Sequence, residues 1–107
     1  MIFAPDIFLS SRVKAIIALA ARYRLPAVYA VPAYAKLGGL LAYGPDFVDN
    51  YQRAARLVDR ILKGARPADL PIEQPTRFVL AINLTTARQL GLDVGASLLA
   101  SADEVIE

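Results

Sequence analysis

The stretch from Ile61 to Leu92 constrains the fold of this chain more than any other part of its sequence. It begins with the end of an amphipathic helix, which Gly64 terminates because glycine is the residue most often found just past a helix C-terminus. The segment that follows contains three prolines, and proline lacks the amide hydrogen that a helix or an inner strand needs. We therefore predict a stiff, extended connector over residues 64–77, with a short strand at Ile72–Glu73. The prolines are Pro67, Pro71 and Pro75.

A buried strand and a capped helix are predicted to follow this connector. Residues 78–82 form a short apolar run, which is typical of a strand buried on both faces. Asn83 stands at the N-cap position of a helix over Leu84–Leu90, and Gly91 ends that helix.

The remainder of the chain repeats this alternation of apolar strands and amphipathic helices. Such alternation indicates one α/β domain over residues 1–107, with three layers and a mostly parallel sheet flanked by helices. The predicted strands are Ile2–Ala4, Ala27–Val31 and Leu40–Tyr43; the predicted helices run from Ser10 or Ser11 to Arg24, from Pro32 to Leu37, from Phe47 to Lys63, and for a turn or two between Ser97 and Ile106.

Composition narrows the classes of function. The chain has no cysteine and no histidine, which removes thiolate metal sites, the commonest metal ligand and the commonest general base. We predict no metal, no cofactor and no enzymatic activity, since no pair of the remaining reactive side chains has a recognisable arrangement. The 12 basic residues form no run and balance 10 acidic ones, so nucleic-acid binding is not expected.

The apolar content points to a partner. Hydrophobic residues make up 56% of the sequence, and a chain of 107 residues cannot bury so much apolar surface by itself. We therefore predict that the exposed apolar surface is covered, either by a second copy of the chain or by the missing half of a larger protein. No apolar run is long enough to insert into a membrane, and the N-terminus does not resemble a signal peptide, so the chain as written is expected to be cytoplasmic.

Ligands of open parallel sheets bind beyond the carboxyl ends of the strands, and three such ends can be placed here. They carry two carboxylates and three aromatic rings, a set that can hold a small amphipathic ligand through its ammonium group and its apolar side chain. The candidate ligand-binding residues are Asp6 and Phe8 after the first strand, Tyr34 after the second, and Tyr43 and Asp46 after the third.

Each of these residues also has a purely structural interpretation. Asp6 can form a turn before the first helix, and Asp46 can stabilise the N-terminus of the helix that starts at Phe47. Tyr34 and Tyr43 can be packing aromatics. The pair Gly38–Gly39 lies after a helix and before a strand, so it is interpreted as a helix stop and not as a phosphate loop.

Three motifs resemble the C-terminal part of the ABC transporter substrate-binding protein family, which includes tryptophan-type solute receptors of bacteria. They are LPAVY at 25–29, GGLLAYGPDF at 38–47 and the stretch 61–92. The resemblance implies part of a two-lobed periplasmic-binding-protein fold, and an extracytoplasmic location. In that family the loop holding Asp6 faces the cleft, and the YG-x-[DN]-[YF] pattern is matched by Tyr43 to Phe47. This chain has Ile7 where relatives that bind amino acids often have a polar residue.

The resemblance implies a solute-binding component of an ABC importer, with a small organic solute such as an aromatic or branched amino acid or a related acid. A membrane permease would be its partner through the full-length protein. The connector residues Gly64, Pro67, Pro71 and Pro75 would then belong to the hinge between lobes. The alternative is a structural module that forms a homodimer, by exchange of the segment after Gly64, without binding a ligand of its own.

Overall fold

The computed structural model describes all 107 residues, which form two compact units. The first unit comprises Met1–Gly44 and Val79–Glu107, and the second comprises Pro45–Phe78. The connector predicted over residues 64–77 lies in the second unit, together with the long helix that precedes it.

A sheet of five strands, in the order β1-β2-β3-β4-β5, organises the chain. The strands are β1 (Ile2–Phe3), β2 (Val28–Tyr29), β3 (Leu41–Pro45), β4 (Phe78–Asn83) and β5 (Glu104–Ile106). The helices are α1 (Ile7–Ser11), α2 (Val13–Arg22), α3 (Ala33–Lys36), α4 (Phe47–Leu62), α5 (Leu84–Leu90) and α6 (Ala96–Ala100), with a short 3-10 helix at Pro67–Asp69.

The sheet is mostly parallel, which confirms the predicted fold class. β1 pairs with β2, β2 with β3, and β4 with β5, each in parallel register. Between β3 and β4 the direction reverses, because the amide of Asn83 donates to the carbonyl of Leu40 at one end and that of Asp46 to Arg77 at the other. One antiparallel pair therefore joins two parallel groups of strands.

The hydrophobic core lies against one face of the sheet. Alternate strand residues point to this face, as the two-residue period of a strand requires, and they meet the buried side of α2. The rings of Phe3 and Tyr29 lie 5.5 Å apart, centroid to centroid. The core residues are Phe3, Val13, Ile17, Ala20, Ala27, Tyr29, Ala35, Ala42 and Ala81.

The other face of the sheet is only partly covered. A groove on this face lies between the strands and the α5–α6 region, where it is lined by Leu41, Ile82 and Leu98. Over β1 and β2 the outward-facing residues Ile2 and Val28 are exposed. The outward face of β1 and β2 is thus exposed, and its surface is apolar.

The first helical region starts earlier than the sequence predicted. Asp6 is the N-cap of α1, and the hydroxyl of Ser11 donates to the carbonyl of Phe8 instead of capping a helix. The expectation that Ser10 or Ser11 starts the helix was wrong, because Asp6 offers a carboxylate acceptor one turn earlier. Arg12 then separates α1 from α2.

The C-terminal segment was also predicted wrongly. Residues 104–106 form β5 beside β4, where the sequence suggested an amphipathic helical turn continuing to Ile106. The side chain of Asp103 fixes this strand, since its Oδ2 accepts from the amide of Leu80 at 2.8 Å and its own amide donates to the carbonyl of Leu80. The short strand predicted at Ile72–Glu73 is absent, because these residues pair with no other strand.

The second unit consists of α4 and the segment that returns from it. Gly64 ends the helix region with φ of +106°, a left-handed conformation that glycine adopts without strain. Arg53 connects the helix to the returning segment: its Nε donates to Asp49 at 2.7 Å, and its Nη2 donates to Thr76 at 2.6 Å. No residue of α4 is buried.

None of the helices combines the length and the apolar character that a membrane crossing would need.

Candidate functional site

An apolar depression of about 330 Å³ lies at the carboxyl ends of β1 and β2, beside β3. Tyr43 of β3 forms one side and is 54% exposed, and Tyr29 of β2 is also a lining residue, although its ring packs in the core against Phe3 and Tyr34. The remaining lining residues are Ile2, Phe3, Ala4 and Pro5 from β1 and its end, with Val28 and Ala30 from β2. This is the end of a parallel sheet where small ligands bind in open α/β folds.

The close approach of β3 to β2 at this position depends on Gly44. A Cβ atom at Gly44 would lie 1.9 Å from the carbonyl oxygen of Ala30 and 2.8 Å from its carbonyl carbon. Only glycine avoids this backbone clash. The glycine of the Tyr43–Phe47 motif therefore has a structural role: it places Tyr43 and Ala30 beside each other on the wall of the depression.

The hydroxyl of Tyr29 is held in its neutral form. Burial raises the pKa of this phenol above its ordinary value of 10.0, because the charged phenolate would lose its hydration. This ring packs in the core beside Phe3 and Tyr34, so the raised pKa bears on the stability of the fold and not on the surface of the depression.

Asp6 does not line this depression in the structure. Its Oδ1 accepts a hydrogen bond of 2.9 Å from the amide of Leu9, which is the contact of a helix N-cap. The structural interpretation of Asp6 is therefore observed, and a contact between this exposed carboxylate and a ligand remains a prediction.

The two other aromatic candidates of the first unit are held by neighbouring side chains. Phe8 is 62% exposed, and the guanidinium carbon of Arg12 lies 4.0 Å from the centroid of its ring. Tyr34 is half-buried and packs edge-on against Tyr29, with centroids 6.3 Å apart and planes at 84°. Tyr34 is a packing residue of the core in this structure.

Asp46 belongs to the second unit and caps α4. Its Oδ1 accepts from the amides of Val48 at 3.0 Å and Asp49 at 3.2 Å, and its Oδ2 pairs with Nε of Arg77 at 3.2 Å. Both carboxylate oxygens thus have partners within the protein, as expected for a residue that opens a helix.

The predicted hinge residues all lie in the second unit. Pro67 is the first residue of the 3-10 helix, and the guanidinium of Arg66 pairs with Asp69 across it at 2.9 Å. Pro71 and Pro75 lie in a segment that has no regular secondary structure. Their role as a hinge, together with Gly64, stays a prediction.

The lining residues with small or aliphatic side chains were not predicted from the sequence. Ala4 and Ala30 follow the ends of β1 and β2, and neither carries a polar group that would signal a site. The rule that ligands lie beyond strand ends located the region, but it directed attention to the polar and aromatic residues there. No group of three or more acidic side chains is placed so that it could hold a metal ion.

Asn83 and Thr86 form a buried polar cluster that is structural. Asn83 Nδ2 donates to the carbonyl of Ala35 at 2.8 Å and its Oδ1 accepts from the amide of Thr86, while the Thr86 hydroxyl donates to the carbonyl of Gly38 at 2.9 Å. These bonds join the start of α5 to the end of α3, close to the sheet.

The structure is similar to solved structures of longer proteins. A conserved domain protein from Vibrio cholerae superposes with a TM-score of 0.91 and 27% identity over 97% of this chain and 35% of that one. The ABC domain from Streptococcus pneumonia in complex with L-Trp superposes with a TM-score of 0.85 and 27% identity, over 94% of this chain and 35% of that one.

A third structure shares the fold. It is the ligand-free, open form of a substrate-binding protein with adhesive properties from Clostridium difficile, with a TM-score of 0.66 and 16% identity over 98% of this chain and 35% of that chain. The present chain thus spans about a third of the length of these relatives. No curated protein matches it.

A family model described as ABC transporter substrate binding protein matches residues 1–106. The family predicted from the three sequence motifs is confirmed, and the match extends over almost the whole chain. This chain belongs to the ABC transporter substrate-binding protein family.

Proposed function

We propose that this chain supplies one wall of the solute-binding cleft of an ABC-type importer, and that the solute is a small organic molecule. The observation that carries the proposal is the apolar depression at the ends of β1 and β2, in a chain whose family consists of substrate-binding proteins. The proposed solute class is an aromatic or branched amino acid or a related acid. The structural relative that contains L-Trp supports this choice.

The chemistry of the depression fits the apolar part of such a solute. Tyr43 offers a partly exposed ring for stacking, and the aliphatic residues around it offer a surface without charge. Asp6 is the candidate for contact with an ammonium group, since its carboxylate is exposed just after Pro5. Asp46, the second proposed carboxylate, belongs to the second unit and has partners within the protein for both oxygens, so its contact with a solute stays a prediction.

One wall alone binds weakly. Ligand sites usually bury at least 70% of the surface of a small molecule, and an open depression covers only one side of it. We therefore expect dissociation constants in the millimolar range, about −4 kcal/mol. In a receptor with both walls, the connector with Gly64, Pro67, Pro71 and Pro75 would form part of the hinge, and a permease would receive the solute.

Isothermal titration calorimetry at millimolar ligand tests the solute class. L-tryptophan, L-leucine and phenylpyruvate form the test set. Glucose and L-lysine serve as controls, because glucose has no carboxylate and the side chain of L-lysine is charged. We expect measurable heats for the test set only. The highest ligand concentration is 10 mM, roughly ten times the expected dissociation constant. Equal heats for both sets, or no heat for either set at this concentration, would contradict the proposed function.

A further inference from the structure

The charges of this chain are segregated, although its basic residues form no run in the sequence. Residues 7–44 carry five basic side chains and no acidic one, whereas the rest of the chain carries seven basic and ten acidic side chains. An excess of one sign over a short part of a domain gives the surface there a potential of that sign. The five basic residues are Arg12, Lys14, Arg22, Arg24 and Lys36.

Four of these five cations have no carboxylate partner. Lys36 pairs with Glu104 at 2.7 Å, and none of the ion pairs of the chain involves the other four basic residues of this stretch. All four are exposed. Their charges are therefore not neutralised within the protein, and they can attract an external anion.

The outward side of α2 combines two of these cations with exposed apolar side chains. Leu19 is 50% exposed, and Tyr23, the C-cap of the helix, is 63% exposed. Residues four apart lie on the same side of a helix. One row on this side is therefore Lys14, Ala18 and Arg22, and the adjacent row is Ala15, Leu19 and Tyr23. The buried side of the helix is formed by Val13, Ile17 and Ala20.

The other two unpaired cations flank the two ends of α2. Arg12 precedes the helix, and its guanidinium carbon lies 4.0 Å from the ring centroid of Phe8. Arg24 follows the helix with φ of +50°, a left-handed conformation that is uncommon for residues other than glycine. Glycine is the usual residue at such a helix end. The chain thus has a cation at a position where glycine would be less strained.

We propose that the outward side of α2, with its two flanking cations, binds the surface of a lipid bilayer that contains anionic lipids. The charges are complementary, because lysine and arginine attract the phosphate and carboxylate groups of such lipids. Leucine and tyrosine suit the boundary between headgroups and acyl chains, where tyrosine keeps its hydroxyl in the polar layer. This inference is independent of solute binding.

The apolar side chains favour a lipid surface over another polyanion. The outer side of a single helix is convex, so an acidic protein would need a matching cavity to cover Leu19 and Tyr23 between the cations. A fluid bilayer surface needs no such shape complementarity, and it accepts apolar and cationic side chains from the same side of a helix.

The number of unpaired cations sets the expected strength of binding. Each basic residue near an anionic membrane surface contributes about 1 kcal/mol, which is a factor of about five in the partition coefficient. Four cations together give a preference of roughly several hundred-fold for an anionic bilayer over a neutral one. Binding of this kind is reversible and is weakened by salt.

Cosedimentation of the full chain with sucrose-loaded vesicles tests the proposal. Vesicles of phosphatidylcholine with about 30% phosphatidylserine should bind the chain at least roughly 100-fold more tightly at low salt than vesicles of phosphatidylcholine alone. Raising NaCl from about 0.02 M to about 0.5 M shortens the Debye length from roughly 20 Å to roughly 4 Å, and it should release the chain.

Two double variants of equal net charge locate the binding surface. Lys14→Gln combined with Arg22→Gln removes two cations from α2 and should weaken binding to the anionic vesicles by about 25-fold. Arg56→Gln combined with Arg60→Gln removes two exposed cations from α4, and it should change binding by less than about twofold.

A variant at Arg24 separates loss of binding from loss of folding. Arg24→Gly removes one cation and should weaken binding about fivefold. Its melting temperature should not fall, because glycine adopts the positive φ of this position without strain.

Three results would overturn the proposal. The first is no binding to either kind of vesicle, which would indicate that an acidic protein covers this surface instead. The second is equal binding to neutral and anionic vesicles. The third is equal weakening by the α2 and α4 double variants, which would mean that net charge and not the outward side of α2 determines binding.

Discussion

The side-chain amide of Asn83 donates a hydrogen bond of 2.8 Å to the carbonyl oxygen of Ala35, a residue 48 positions earlier in the chain. Both residues are buried. The same amide group caps α5, since its oxygen accepts from the backbone of Thr86. One side chain thus starts a helix and also satisfies a carbonyl near the end of α3.

Replacing Asn83 by alanine should destabilise the protein by about 2–4 kcal/mol. The loss combines a missing helix cap, worth about 1 kcal/mol, with the desolvation penalty of a buried carbonyl left without a partner, about 1–3 kcal/mol. Urea denaturation followed by circular dichroism measures the change. Thr85→Ala is the matched control, because Thr85 is exposed on the same helix, and it should change stability by less than about 0.5 kcal/mol.

Replacing Gly44 by alanine should destabilise the first unit by about 3 kcal/mol or more. The new Cβ atom would overlap the carbonyl of Ala30, and the backbone of one strand must move to relieve the overlap. Thermal denaturation measures the effect. Gly95→Ala is the control, since nothing lies within 4 Å of the Cβ position there and its φ is −58°. Equal stability of the two variants would show that β2 and β3 do not approach as closely as described.

Asp46→Asn should leave α4 intact, while Asp46→Ala should fray its first turn. Asparagine retains the oxygen that accepts from Val48 and Asp49, and alanine removes it at a cost of about 1–2 kcal/mol. Hydrogen exchange of the Val48 and Asp49 amides measures the difference. If both variants exchange equally fast, the pairing with Arg77 and not the cap holds this residue.

The stability of the chain should fall at alkaline pH because of Tyr29. Burial raises the pKa of this phenol in the folded protein, so the folded state retains its proton to higher pH than the unfolded state does. The stabilisation is complete below pH 10, the ordinary pKa, and is lost as the pH rises from there through the folded pKa. Denaturation experiments between pH 9 and 11, a window that spans the ordinary pKa of a phenol, measure the effect. Tyr29→Phe should lose less free energy of unfolding over this window than the unmodified chain. A loss as large as in the unmodified chain would assign the effect to other groups.

Local signals made much of the fold predictable. Asn83 before Leu84–Leu90 and Gly91 after it follow the ordinary rules of helix ends, and both positions are as predicted. The same holds for α4, whose apolar spacing gave its extent to within one residue. Each of these predictions depends on residues that are neighbours in sequence.

The errors concern contacts between distant residues. β5 forms because Ala81 lies opposite Glu104 in the sheet, and nothing in the sequence near residue 104 reveals that partner. The bond from Asn83 to Ala35 is hidden in the same way. Asp6 and Asp46 follow the ends of β1 and β3 as predicted, but neither lines the depression, and whether Asp6 serves a helix or a ligand depends on the position of the Leu9 amide.

The central claim is that solute binds at the ends of β1 and β2, against Tyr43. Two-dimensional ¹H–¹⁵N NMR of the labelled chain, titrated with L-tryptophan, tests it most directly. We expect fast-exchange shifts concentrated at the amides of Ala4, Ala30 and Tyr43, with at least a several-fold weaker response in Tyr43→Ala. Two results would contradict the claim. One is that the shifts are confined to Leu92 and Leu98, in the groove that Leu41 and Ile82 also line. The other is an unchanged response in Tyr43→Ala.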